Sequence, residues 1–469
     1  MIDLSDLREI VGDAYVLTGE DTEKWAADWT GAYTATPLAV VRPANTAQVS
    51  AILKRAHATA TPIVPVSGNT GLNGGAFGKD AIALSVDRLN TIADIDAQGR
   101  TARVGAGVIL SSLHEAADAH DLIFPLTFGA RGSAMIGGVL STNAGGSNVL
   151  RYGNTRDLVM GIEVVMADGR IMNLMGALHK DNSGLNLKHL MIGAEGTLGI
   201  ITGAIVKLFA KPRAYATAMV AVPSLPDALT LLNAMQDATG GGVEAFEYMP
   251  RAFIDGHLAV IDGAKPPFDD SYDVNILIEV GATAARDATP DDTGAVPVVT
   301  MLEDTLGAML EDGRVLDAVV AQNESQRAEM WARREAAAEI AFHKRPFVDT
   351  DIAVPLTDVA TFLKEATRRL AKLDANATEL VVAHLGDGNV HYTAYPTSDD
   401  PDLKNAIKEM VEDIVQDLNG SFSAEHGVGI SKLATMKRRK DPVALDAMRA
   451  VKAALDPKGI LNPGKTIPD

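Results

Sequence analysis

The chain of 469 residues contains no cysteine. Disulfides, iron–sulfur clusters, thiol nucleophiles and cysteine-linked cofactors are therefore excluded. Basic charge is in short supply: 42 Lys and Arg stand against 61 Asp and Glu, a formal net charge of −19. Phosphate backbones and anionic lipid repel such a chain, which argues against nucleic acid and membrane surfaces as partners. Long apolar runs are missing too. The most apolar region, 190–209, is broken by Glu195, Lys207 and several glycines, so no transmembrane segment is expected. The opening MIDLSDLREIVGD is acidic and amphipathic, unlike a signal or transit peptide, and a cytoplasmic protein is the expectation. Standard nucleotide motifs fail on inspection. Asn73 stands where a phosphate loop needs glycine, and Gly78-Lys79 is followed by Asp80. Gly105-Ala106-Gly107 is followed by Leu110 where a dinucleotide fingerprint needs a third glycine, so a nicotinamide cofactor is not expected.

Glycine is abundant, and clustered. A strand at Ile63–Val66 runs into Ser67-Gly68-Asn69-Thr70-Gly71-Leu72-Asn73-Gly74-Gly75. A second small-residue stretch covers Phe128 to Gly138 and continues through Ser141 to Gly146; a third is Ile192 to Ile200. Residues this small let backbone N–H groups turn toward an anion and let a flat ligand approach the main chain. Three such loops in one α+β region point to a large phosphate-bearing ligand. Between them, the pattern predicts a helix over 47–58 capped by Thr46, three short strands over 82–108, and a hairpin turning at Asp168-Gly169. The length itself predicts two or three domains.

Two histidines form the other cluster. The run AHLGDGNVH sits between segments rich in β-branched residues, and Asp387-Gly388 favours a two-residue type I′ turn. That turn would pair 386 with 389, 385 with 390 and His384 with His391. Directly opposed residues have Cβ atoms about 5 Å apart, a spacing at which two imidazoles can chelate one metal. Glu425 follows the short strand-like run 420–424 and supplies a third ligand. Two histidines and a carboxylate leave coordination positions open, as catalytic sites do, and accept zinc, manganese, iron or cobalt. His426, next in sequence, is placed to act as a base. Residues 214–420 alternate strands and helices, with one helix expected from Gln326 to Phe342.

The motifs SGNTGLNGG, GARGSAMIGG, STNAGG, RYG and IGAEGTLGIIT resemble the FAD-binding domain of the vanillyl-alcohol oxidase / p-cresol methylhydroxylase superfamily of flavoproteins. HLGDGNVH, AEHGVG and LDPKGILNPGK resemble its D-2-hydroxyacid dehydrogenase branch, and the likeness runs nearly end to end. It implies an α+β fold: a two-part FAD-binding domain, residues 1–213 plus a C-terminal segment 425–469, with an α/β cap or substrate domain over 214–424. It implies FAD held by Val66, Ser67, Gly68, Asn69, Thr70, Gly71 and Leu72 of the first loop. The second stretch would add Gly129, Ala130, Gly132, Ser133, Gly137, Gly138, Thr142, Asn143, Gly145 and Gly146, and beyond it Glu195, Gly196, Gly199, Ile200 and Asn462. Neither 67–75 nor 129–146 holds a histidine or cysteine, so the FAD is expected to be non-covalent.

By the same resemblance His426 is the catalytic base, His384, His391 and Glu425 bind a divalent metal (zinc, manganese or iron), and Arg334 binds the substrate carboxylate, with Arg333 the alternative beside it. The expected reaction is oxidation of a small D-2-hydroxyacid, D-2-hydroxyglutarate or one like D-lactate, by hydride transfer to flavin. Electrons would then pass to a separate acceptor: an electron-transfer flavoprotein, a quinone or a cytochrome. A homodimer is compatible with this reading. The sequence departs from the hydroxyglutarate pattern at three places, with Ala338 for Thr, Asp349 for Lys and Thr393 for Asn. Two other readings of the residues stay open: a metal-dependent hydrolase using the same histidines and Glu425, and a non-catalytic flavoprotein with a structural metal.

Overall fold

The computed structural model describes residues 1–469. It forms two compact units, one of residues 1–145, 154–210 and 425–469, the other of 146–153 and 211–424. The first unit carries a four-stranded sheet in which Ala39–Val41, Ile82–Ser85 and Ile63–Val66 run parallel, with Val16–Leu17 antiparallel at the edge. These strands are near-continuous runs of Val, Ile, Leu and Ala, as strands buried on both faces must be. Helix Thr46–Thr59 packs Val49, Ile52, Leu53 and Ala56 into the core beneath them. Its cap is Asn45, whose side chain accepts from Gln48 N; the expected cap, Thr46, is already helical and turns its hydroxyl to Glu163 instead. A five-stranded antiparallel sheet follows, ordered Ile92–Asp96, Thr101–Gly105, Ile200–Lys207, Val159–Val165, Ile171–Leu174.

The second unit is built on one seven-stranded antiparallel sheet. Its strands are β1 (Ala214–Val222), β2 (Val243–Pro250), β3 (Val274–Ala282), β4 (Asp317–Val320), β5 (Val348–Ala353), β6 (Thr378–His384) and β7 (Asn389–Tyr395), in the order β4-β1-β3-β2-β6-β7-β5. One face buries Leu231, Leu302, Phe362 and Ile414 in the larger core. The other is covered by α1 (Arg251–Val260), α2 (Glu324–Glu335) and α3 (Ala337–His343), through Phe253, Met330 and Ile340. The single helix expected over 326–342 is thus two helices. Ala336, with ψ at 0°, bends the chain so that each half seats its own apolar residues.

The β6–β7 hairpin forms, but in another register. His384 pairs with Asn389, and His391 with Val382. The loop spans four residues because only Gly388 takes a positive φ (82°), whereas a type I′ turn needs one at Asp387 as well. Asp387 N and Gly388 N both bond to His384 O, and the Asp387 carboxylate caps Asn389 N. The shift from the expected pairing is two residues, an even number. The histidines therefore keep a common face and become diagonal neighbours.

The unit boundaries also differ from the expected 213/214 division. Residues 146–153, including Gly146, are tied to the second unit: Arg151 Nη1 and the Tyr152 hydroxyl both bond Glu244 Oε1 at 2.8 Å. Residues 211–213 lead straight into β1, with Arg213 N bonded to Ala282 O.

Candidate active site

In the first unit the glycine loops converge. A cavity of about 300 Å³ is lined by Ser67, Gly68 and Asn69 of the first loop, by Gly132 and Ser133 of the second, and by Lys24 and Trp25. It opens beside the C-terminal end of strand Ile63–Val66, where ligands of parallel sheets bind. The glycines play two different parts. At Gly71, Gly129 and Gly132 an added Cβ would meet nothing within 4 Å, which leaves the backbone open to a ligand. At Gly68, Gly137, Gly196 and Gly199 it would lie 2.2 to 2.9 Å from Ser133 O, Ala106 Cβ, Pro65 Cγ and Val164 Cγ1, so there the glycines let protein pack on protein. Gly138 N donates to the Ser67 hydroxyl at 3.0 Å, joining the first two loops. Thr142 turns its hydroxyl back to Gly138 O. Val66 and Ile200 are buried strand residues. Asn69, Asn143, Glu195 and Asn462 are four of the ten non-glycine residues with positive φ, a concentration of backbone strain at these loops.

Glu195 ties the third loop to the C-terminal segment. Its carboxylate accepts from Val428 N and Gly429 N, both at 2.8 Å. Burial raises its pKa, and these two N–H donors offset the rise in part. Asn73 Nδ2 donates to the carbonyls of His426 (2.8 Å) and Gly427 (2.6 Å), while Asn462 Nδ2 donates to Gly75 O and Glu195 O. The backbone at His426 is thus clamped to the first glycine loop. Glu425 lies against Gly145, where a Cβ would come within 2.6 Å of Oε1.

In the second unit the imidazoles of His384 and His391 are 5.5 Å apart, centre to centre. Each Nδ1 turns toward a buried carboxylate: His384 to Glu247 Oε1 at 2.8 Å, His391 to Asp351 Oδ1 at 4.0 Å. Asp351 accepts from Asn389 Nδ2, and Asn389 Oδ1, across the strand pair from His384, is buried without a partner. Arg334 is buried rather than on a helix surface. Its Nε donates to Glu247 Oε2 at 2.6 Å, and its Nη2 lies 3.4 and 3.5 Å from the two His384 ring nitrogens. Arg333 points elsewhere, its Nη2 bonded to Lys265 O, so Arg334 is the arginine of the histidine cluster. Burial pushes the Glu247 pKa up, but His384 and Arg334 outweigh it and hold this carboxyl below its ordinary value.

Two family models match the chain: the C-terminal domain of FAD-linked oxidases over residues 211–466 and an FAD-binding domain over 37–175. The chain belongs to the FAD-linked oxidases. Among curated relatives, a D-2-hydroxyglutarate dehydrogenase of Xanthomonas citri pv. viticola is 34% identical over 95% of this chain and 92% of its own length. One of Stutzerimonas stutzeri is 34% identical over 98% of each. Among solved structures, p-cresol methylhydroxylase with substrate bound superposes with a TM-score of 0.73 at 16% identity, over 99% of this chain and 96% of that one, a likeness of fold.

As an FAD-linked oxidase the chain is an oxidoreductase that binds FAD, and its residues fit the cofactor. Bare backbone at Gly71, Gly129 and Gly132 suits close approach by a phosphate-bearing ligand. The histidine cluster fits a metal equally well. At His384 the ionised Glu247 carboxylate, 2.8 Å from Nδ1, requires that nitrogen to carry the proton, so Nε2 is the atom with a lone pair for a metal. Sequence reasoning missed Glu247, Asp351, Asn73 and Trp25. Glu247 carried a signal: an acid between Phe246 and Tyr248 in the strand VEAFEYM has to be buried with a partner.

Proposed function

We propose that this FAD-linked oxidase is a metal-dependent D-2-hydroxyacid dehydrogenase with non-covalent FAD, its metal held by His384, His391 and Glu425. The observation that carries the reading is the pair of imidazoles on β6 and β7, each backed by a buried carboxylate, in a chain whose family binds FAD. The names of the bacterial relatives support the substrate class. Glu425 is supported by the chain path. Ala424 N bonds Asp351 O beside His391's strand, and Glu425 is the next residue.

When bound, FAD supplies the hydride acceptor and the metal a Lewis acid that lowers the hydroxyl pKa. His426 takes the hydroxyl proton, from a backbone fixed by Asn73. Arg334 holds the substrate carboxylate, a task its planar fork suits. His384, His391 and Glu425 would hold that metal. Electrons leave to a separate carrier, an electron-transfer flavoprotein, a quinone or a cytochrome.

On substrate choice one feature favours a monocarboxylic D-2-hydroxyacid over the diacid. The row of the sheet next to His391 and Asp351 contains Asp349, which accepts a 2.8 Å bond from Thr393. A distal carboxylate running along β7 in that direction would meet an acid. Lys344 is one row further on, bonded to Thr378 at 2.8 Å. Anaerobic bleaching of the bound flavin tests both points, with D-lactate, its L-enantiomer and D-2-hydroxyglutarate compared. Bleaching by D-lactate but not by the L-form is expected, with slower bleaching by the diacid. A flavin that none of them bleaches would reject the dehydrogenase reading, and faster bleaching by the diacid would reject the role of Asp349.

A further inference from the structure

We infer that Glu247 is a positioning residue that sets both His384 and Arg334 for their tasks. It fixes which imidazole nitrogen faces the metal and which edge of the guanidinium faces the substrate. The inference rests on the metal reading proposed above.

Glu247 lies within β2 and is 1% exposed. Its two oxygens divide their work, Oε1 taking His384 Nδ1 at 2.8 Å and Oε2 taking Arg334 Nε at 2.6 Å. Glu247 and His384 are direct cross-strand partners, so sheet register holds this contact rather than the flexibility of two side chains. Arg334 Nη2 is nearly equidistant from the two ring nitrogens, at 3.4 and 3.5 Å, which puts it over the ring and out of line with the Nε2 lone pair. A carboxylate that orients a ligand histidine typically contributes 10- to 100-fold in metal affinity.

The same sheet face carries a comparison. Glu279 on β3 is 3% exposed and is gripped by Arg327 at 2.6 and 2.8 Å and by Trp331 Nε1 at 2.8 Å. Arg327 and Arg334 are seven residues apart on α2, two turns, and each clamps a sheet glutamate. Glu279 has an arginine clamp, from the half-buried Arg327, without the histidine. If clamping the helix were the whole purpose of Glu247, the two glutamates would be equivalent.

The test uses the full-length flavoprotein stripped of metal and titrated with zinc by equilibrium dialysis, bound zinc being measured by mass spectrometry. Glu247→Gln and Glu279→Gln are compared with the unmodified chain, with thermal midpoints recorded for the metal-free forms. Glu247→Gln should bind zinc about 10- to 100-fold more weakly and raise KM for the hydroxyacid. Glu279→Gln should lose comparable thermal stability yet bind zinc within about twofold of the unmodified chain. Should Glu247→Gln not fold, Glu247→Asp keeps the buried charge while withdrawing both oxygens from His384 and Arg334, and the same criteria apply to it. Zinc binding unchanged at Glu247, or weakened equally at Glu279, would overturn the inference. An unmodified chain that binds no stoichiometric zinc, manganese or iron would instead overturn the metal reading, and this inference with it.

Discussion

Lys465 shows how a single side chain carries the cost of its position. It is 5% exposed, and its ammonium makes only a long 3.4 Å bond to Pro463 O. Burial lowers its pKa to about 8, and Glu195 offsets only part of the fall. A lysine whose folded pKa is depressed contributes stability above its unfolded pKa of 10.5 and loses it as pH falls through 8. At neutral pH the native state therefore carries a penalty on the order of 3 kcal/mol, by the conversion of about 1.36 kcal/mol per pK unit. Lys465→Met should accordingly be more stable than the unmodified chain at pH 7. That advantage should shrink between pH 8 and 10.5, as followed by denaturant midpoints. A difference independent of pH would mean that the amine is compensated by a partner in solution. Arg334 is the contrasting case, because its buried charge has Glu247 against it.

The hairpin of β6 and β7 is where sequence and structure agree in outcome but not in detail. The β-branched flanks marked both strands, and Asp-Gly marked the turn. The type of turn was not legible, because it depends on what the loop packs against. Gly388 closes on the residue that follows β5, where a Cβ would stand 2.2 Å from Val354 O, and Val354 N bonds Gly388 O. Gly386 sits under Leu150, where a Cβ would stand 2.7 Å from the leucine side chain. Tertiary contact therefore sets a four-residue loop, and the common face of the histidines survives only because the slip is even. Gly388→Ala would place a side chain at φ 82° and against a backbone oxygen. Strain and overpacking together predict a loss of at least ~2 kcal/mol, measurable by urea unfolding, with weaker metal binding because His391 follows three residues later. In the same way the glycine loops announced a phosphate ligand, but not that Gly68, Gly137, Gly196 and Gly199 serve packing. Spacing does not reveal which glycines face a ligand and which face the chain. The partners of Glu247 were hidden, because His384 and Arg334 lie 137 and 87 residues away.

At the scale of the whole molecule, the work is divided between two units with separate cores. The loops that fit FAD belong to the first unit, Gly146 excepted, and the paired histidines to the second. No helix is long and apolar enough to cross a membrane. FAD and the proposed metal can be tested separately by experiment, although Glu425 belongs to the first unit and lies against Gly145. The cradle of Ser67, Gly68, Asn69, Gly132 and Ser133 draws on no metal-binding side chain, and the His384–Glu247–Arg334 and His391–Asp351 contacts draw on no glycine loop. Prolonged dialysis against a strong chelator should therefore abolish hydroxyacid turnover while the flavin-to-protein ratio and the visible flavin spectrum stay unchanged. Adding back zinc, manganese or iron should restore turnover, and the ion that restores it best identifies the resident metal, since two histidines and a carboxylate do not choose among them. Acid precipitation of the same protein should release the flavin to the supernatant, as expected without a covalent link. Turnover that survives chelation would remove the metal from the reaction and leave proton removal to His426 alone. Flavin lost together with the metal would mean that the first unit holds FAD only while the second is ordered, and the separation argued from the two cores would then fail.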